Sequence, residues 1–147
     1  MKKDIIRDYA TNAFVRYASL GRPTKEELIA KIRADCYRRL SLQQPQYVVM
    51  KADAEVQARM PLIEDVDAVN KVFDILNGQN REYIADAIKA VYFVQPNKVP
   101  KKGEIVERVT AYALSVPCST KTVYTWLKSA RLLFARMRGL NTDGIGE

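Results

Sequence analysis

Residues 116–137, VPCSTKTVYTWLKSARLLFARM, hold the side chains best suited to a definite chemistry. If this segment is helical, one face carries its basic and hydroxyl-bearing residues, which are Lys121, Tyr124, Thr125, Lys128 and Arg131. Ammonium, guanidinium and hydroxyl groups can bind phosphate oxygens and hydrogen-bond to base edges. The spacing therefore favours a polyanion-binding surface, although a basic face on a single helix is more commonly just a solvated face.

The net charge of the chain is concentrated around this segment. Residues 98–138 contain nine basic and two acidic residues, an excess of seven, while the other positions hold 15 of each and cancel. The basic residues here include the lysines of the loop QPNKVPKKG, residues 95–103. The whole net charge of +7 is thus confined to one C-terminal stretch, which indicates a single surface for a polyanion.

Catalytic and metal chemistry are poorly represented in the chain. Histidine is absent, which removes the commonest general base and transition-metal ligand. Cys36 and Cys118 are far apart and lack a CxxC or Cys/His pattern, so both are interpreted as reduced apolar residues. The acidic run at residues 64–67 is better explained as the first turn of a helix than as a metal site. We therefore expect no enzyme activity, no metal and no cofactor.

Hydrophobic periodicity predicts helices throughout the chain. Apolar residues at helical spacing cover residues 4–20, 24–40 and 64–93, with Thr24 as a cap and Gly21, Asn77 and Gly78 as stops. The segment after Pro45 is ambiguous, because Val48 and Val49 also suit an extended strand. The fold class expected is all-α, with roughly six helices.

A short helix, a tight break and a longer helix are predicted at residues 104–138. The first helix buries Ile105, Val109 and Ala113, the break is VPC, and Ser119 caps the second helix. The apolar row of the second helix is predicted to be Val123, Leu127, Ala130, Phe134 and Met137, widened by Trp126 and Leu133. This order is typical of a helix-turn-helix, whose second helix enters the DNA major groove.

The stretch YALSVPCSTKTVY resembles the helix-turn-helix pattern of sigma-factor region 4. With TWLKSARLLFARMRGL and the helix pair before it, roughly residues 64–140 are similar to phage-encoded transcription regulators of the ArpU and RinA type. The resemblance implies transcriptional control by binding double-stranded DNA, with RNA polymerase as a further partner. One departure is Pro117, which stands in the turn where the pattern has glycine and which cannot adopt a positive φ.

Position in this motif assigns roles to individual residues. The residues expected near the bases are Thr120, Lys121, Thr122, Tyr124 and Thr125. Those expected at phosphates are Lys128 and Arg131 on the same helix and Lys98, Lys101, Lys102 and Arg108 before it.

The sequence divides into a helical region at 1–62, a DNA-binding region at 63–140 and a mobile tail at 141–147. The first region is expected to serve oligomerisation, as in a homodimer, or partner contact. Two alternatives to a phage or prophage transcription regulator stay open: a small terminase subunit that recognises packaging DNA, and a protein-interaction module with a basic docking face. No segment has the length and apolarity of a signal or membrane span, so the chain is expected to be cytoplasmic, away from membranes.

Overall fold

The computed structural model describes residues 4–95 and 97–140, and the regular secondary structure in these ranges is all α-helix. Its helices are α1 (Ile5–Ser19), α2 (Lys25–Arg39), α3 (Pro45–Ala58), α4 (Met60–Gly78), α5 (Glu82–Tyr92), α6 (Lys102–Ser115) and α7 (Thr120–Arg138). The predicted fold class is confirmed, with one helix more than the rough number expected. The predicted tail at 141–147 lies outside the described residues.

The ambiguous segment after Pro45 is the helix α3. Pro45 occupies its first turn, where the missing N–H costs nothing, and Val48, Ala52 and Val56 form a buried row at helical spacing. Pro61 likewise lies inside the first turn of α4, so this helix begins at Met60 and not at residue 64 as predicted. The break between α3 and α4 is limited to Arg59.

Side-chain caps of the expected chemistry start α1, α2 and α7. Asp4 accepts a hydrogen bond from the backbone N–H of Arg7, and Thr24 accepts one from Glu27. Ser119 does the same for the N–H of Thr122. Such caps pair amides that have no partner within the helix and stabilise its start by about 1 kcal/mol.

The chain forms two compact units, divided differently from the predicted boundary at residue 62. Among the described residues, one unit contains 4–22, 68–95 and 97–140, and the other contains 23–67. The first helix belongs with the C-terminal half because the Phe14 ring stacks on Tyr92, at 5.8 Å between centroids, and lies 5.7 Å from Phe134. Aromatic side chains of α1 thus pack within the chain.

In the larger unit, α5, α6 and α7 pack against one another, and α1 packs on α5 and α7. The fully buried side chains at these contacts come from all four helices and include Phe14, Ile84, Ile88, Tyr92, Val109, Val123, Leu127 and Phe134. Their burial fixes α7 along one side. This arrangement leaves its other side available for function.

In the smaller unit, α2 and α3 pack side by side. On α2, Leu28, Ile32 and Cys36 form a buried row at helical spacing. Ion pairs between the two helices join Arg33 to Asp53 and Arg39 to Glu55. Both pairs are largely exposed to solvent, so apolar burial contributes more to the pairing of these helices than the charges do.

Candidate nucleic-acid interface

The turn between α6 and α7 consists of residues 116–119 and contains no left-handed residue. Val116 has φ −107° and ψ 22°, and positive φ values occur elsewhere in the described chain. The N–H of Cys118 donates to the carbonyl of Ala113 at 3.0 Å, and the N–H of Val116 donates to Tyr112 at 3.1 Å. Pro117 has no N–H that would need a partner between them. The turn therefore closes without the glycine conformation, as the presence of proline required.

The predicted apolar row fixes α7 to its neighbours. Val123, Leu127, Ala130 and Phe134 are fully buried. Trp126 is half-buried, and its ring meets the edge of Tyr83 on α5 at 5.0 Å. Met137, predicted as the last member of the row, is instead 36% exposed. At this final turn the buried positions are Phe134 and Ala135, because the Phe14 side chain of α1 packs at Phe134.

The opposite face of α7 is exposed over its first turns. Thr120, Lys121, Tyr124, Thr125 and Lys128 all face solvent. The Thr125 hydroxyl donates to the carbonyl of Lys121 at 3.0 Å, which leaves its oxygen able to accept another hydrogen bond. These positions form one continuous stripe, as the helical spacing predicts.

Two residues assigned to this face also have contacts inside the protein. Thr122 is half-buried, and its hydroxyl lies 2.8 Å from that of Ser119 at the start of the helix. Arg131 donates from Nη1 to the hydroxyl of buried Tyr92 at 2.9 Å. This hydrogen bond fixes the position of the guanidinium beside the exposed stripe. Thr122 thus helps to form the start of α7. Arg131 presents a positive charge whose position is fixed by the hydrogen bond to Tyr92.

The predicted loop lysines surround Glu104 at the start of α6. The backbone N–H of Lys101 donates to Glu104 Oε1 at 3.2 Å, and Lys98 Nζ lies 3.4 Å from the same oxygen. These hydrogen bonds, the backbone one first, lower the pKa of the Glu104 carboxyl. Lys101 and Lys102 are exposed beside this cluster. Glu104 thus orders the loop and partly neutralises Lys98.

Arg108, which was predicted to contact phosphate, is held by contacts within the protein. Its side chain is only 13% exposed. Nη1 donates to the carbonyl of Val91 on α5 at 2.8 Å, and Nη2 lies 3.5 Å from Glu104. The guanidinium thus joins α6 to the C-terminal end of α5, where the last carbonyls lack partners within the helix. Arg108 is a structural residue that holds these two helices together.

The structure also brings α1 to the exposed stripe, which the sequence did not indicate. A surface pocket of about 190 Å³ is lined by Asp4, Ile6, Arg7, Lys128, Arg131 and Leu132. Residues at opposite ends of the chain meet here because α1 packs on α7. Helical periodicity identifies a buried face but not the partner that covers it, so no sequence signal pointed to Arg7.

Comparisons with family models, curated proteins and solved structures find no match to this chain. Within residues 4–95 and 97–140, no group of three or more carboxylate or thiol side chains could hold a metal ion. No helix in the same ranges is both long and apolar enough to cross a membrane. Function is therefore inferred from the geometry and charge of the larger unit.

Proposed function

We propose that this chain is a double-stranded DNA-binding transcription regulator that reads sequence with α7. The observation that carries the proposal is the arrangement of this helix. Its apolar row is buried against neighbouring helices, while Lys121, Tyr124, Thr125 and Lys128 remain exposed on the other side. A polar face held rigidly away from a core is what a recognition helix requires.

The dimensions of α7 suit the major groove. With its side chains, an α-helix such as α7 is about 10–12 Å in diameter. The major groove of B-form DNA is also about 12 Å wide. Lys121 and Thr125 can then reach base edges from the first turns, whereas Lys128 lies near the edge of the groove, where the phosphates are.

The charge distribution favours the same partner. Lys101 and Lys102 at the start of α6 are exposed in the helix that precedes the turn into α7. Helices placed before a recognition helix approach the DNA backbone, so these lysines are placed to bind phosphate without reading sequence. Control of phage or prophage transcription, with RNA polymerase as a partner, extends the proposal through the resemblance of residues 64–140 to the ArpU and RinA regulators.

The first test is selection from a pool of random duplex DNA at near-physiological salt, followed by sequencing of the bound fraction. We expect enrichment of one defined site. Binding to that site should weaken as salt rises, with a log–log slope of about −4.5 if roughly five phosphates are neutralised. The cations for these contacts are Lys98, Lys101, Lys102, Lys128 and Arg131.

Two double variants separate base reading from phosphate binding. Lys121→Ala with Tyr124→Ala should reduce the preference for the selected site over random DNA. Lys101→Ala with Lys102→Ala should weaken binding to both DNAs equally. The matched control removes Lys25 and Lys31 from α2, in the other unit, and should change neither.

Other results would replace the proposal with a different function. Assembly into a ring of many subunits that binds DNA would indicate a packaging recognition subunit of a terminase. Absence of DNA binding even at low salt would refute the proposal and direct attention to an acidic protein partner. Equal losses from both double variants would contradict the division of roles within the interface.

A further inference from the structure

The pocket between α1 and α7 combines three cationic side chains from two helices. Arg7 comes from the first turns of α1, and Lys128 and Arg131 come from α7. Arg131 is held in place by its hydrogen bond to Tyr92. The Arg7 side chain is 54% exposed and makes one long contact, at 3.4 Å, with the neighbouring Asp8. A half-exposed guanidinium in this position can still bind an anion.

One acidic side chain belongs to the pocket and limits its charge. Asp4 accepts the backbone N–H of Arg7 at 2.8 Å and so caps the start of α1. The Arg7 N–H at this helix start is therefore already paired with a carboxylate of the protein. Any attraction for an anion must come from the three cationic side chains, and Asp4 must oppose it.

The pocket lies on the continuation of the exposed stripe of α7. Lys128 is the last exposed residue of that stripe and also lines the pocket. When the first turns of α7 lie in a groove about 12 Å wide, Lys128 and the pocket come to the sugar-phosphate backbone at its edge. We infer that this pocket binds a backbone phosphate of the duplex, held by Arg7 together with Lys128 and Arg131.

This inference rests on the proposed function and adds α1 to the DNA interface. The first turn of α1 would act as a stop beside the recognition helix, setting how far along its length α7 can enter the groove. Phosphate contacts of this kind fix register and orientation and do not read sequence. Arg7 should consequently affect all duplexes alike.

Two single variants at the start of α1 test this phosphate subsite, and they are expected to change DNA affinity in opposite directions. Arg7→Gln should weaken binding to the selected duplex about twofold at about 0.15 M salt, because Arg7 supplies about one third of the neutralisation of a phosphate whose full contact contributes a slope of about 0.9. The slope itself should become less steep by about 0.3. Asp4→Ser retains a capping oxygen but removes the opposing charge, so it should tighten binding about twofold for a phosphate within about 8 Å.

The matched control is Arg16→Gln, which removes the same charge from the exposed last turn of α1. It should leave both affinity and slope unchanged, and circular dichroism should show that all three variants keep their helix content. Equal effects of Arg7→Gln and Arg16→Gln, or weaker binding by Asp4→Ser, would overturn the subsite while sequence-selective binding by the wild-type protein persists. If the wild-type protein binds no duplex, both the subsite and the proposed function are refuted.

Discussion

Substitution of Arg108 separates a structural arginine from a DNA-binding one. Its guanidinium donates to the carbonyl of Val91 at 2.8 Å, at the C-terminal end of α5, and its side chain is 13% exposed. A hydrogen bond from a charged donor contributes about 1.5–3 kcal/mol, and a cation also favours the C-terminal end of a helix dipole. We expect Arg108→Met, which keeps an apolar stem of similar reach, to reduce the free energy of unfolding by about 2 kcal/mol.

Arg108→Lys refines this prediction because it keeps the charge. A lysine ammonium lacks the planar fork of arginine and cannot reach Val91 and Glu104 with separate nitrogens. The expected cost is about 1 kcal/mol, between the wild-type protein and the methionine variant. If Arg108 instead contacted phosphate, lysine would be an adequate replacement and stability would not change.

The assay is urea unfolding followed by the fluorescence of Trp126, the one tryptophan of the chain, which lies against Tyr83 in the same unit as Arg108. DNA binding by the folded variants should retain the wild-type salt slope. The structural role of Arg108 is refuted if Arg108→Met unfolds at the wild-type urea concentration while its salt slope falls by about 0.9, the signature of one lost phosphate.

Three further changes test other parts of the larger unit. Ser119→Ala should lower the free energy of unfolding by about 1 kcal/mol through loss of the α7 cap, and hydrogen exchange should speed up first at the start of α7. Because hydrogen bonds, first that from the Lys101 N–H, lower the pKa of Glu104, its contribution is present above the ordinary value of 4.5 and lost as pH falls through the folded pKa. Urea midpoints at pH 7 and pH 3 should therefore differ less in Glu104→Gln than in the wild-type protein. Phe134→Ala should cost about 3–5 kcal/mol, because its ring is buried against Phe14, and calorimetry should show the lower melting temperature.

Local features of the sequence predicted much of this fold. The buried row of α7, its cap at Ser119 and the exposed stripe with Lys121 follow from spacing within a single helix, where each residue is only a few positions from the next. The helical state of Val48 and Val49 was ambiguous from composition because β-branched residues suit strands. It is decided by burial of one face of α3 against α2.

Non-local contacts account for what the sequence did not predict. Arg108 has the charge and position of a phosphate contact, and its structural role appears only when the end of α5 is placed beside it. Arg7 resembles any exposed arginine until α1 packs on α7 and brings it to the same pocket as Lys128. In both cases the deciding partner lies on another helix, and the pattern along the residue's own helix contains no information about it.

Packing of α1 on α7 gives the N-terminal helix a direct influence on the proposed recognition helix. Tyr9 and Phe14 contact Phe134 near the end of α7, and the start of α1 lies beside Lys128. Any interaction that separates α1 from α7 would have two effects at once. It would expose the apolar side chains in the C-terminal half of α7, and it would remove Arg7 from the pocket. If the pocket binds phosphate as proposed, α1 couples the burial of α7 to DNA binding, so deletion of residues 1–22 should reduce stability as well as DNA affinity.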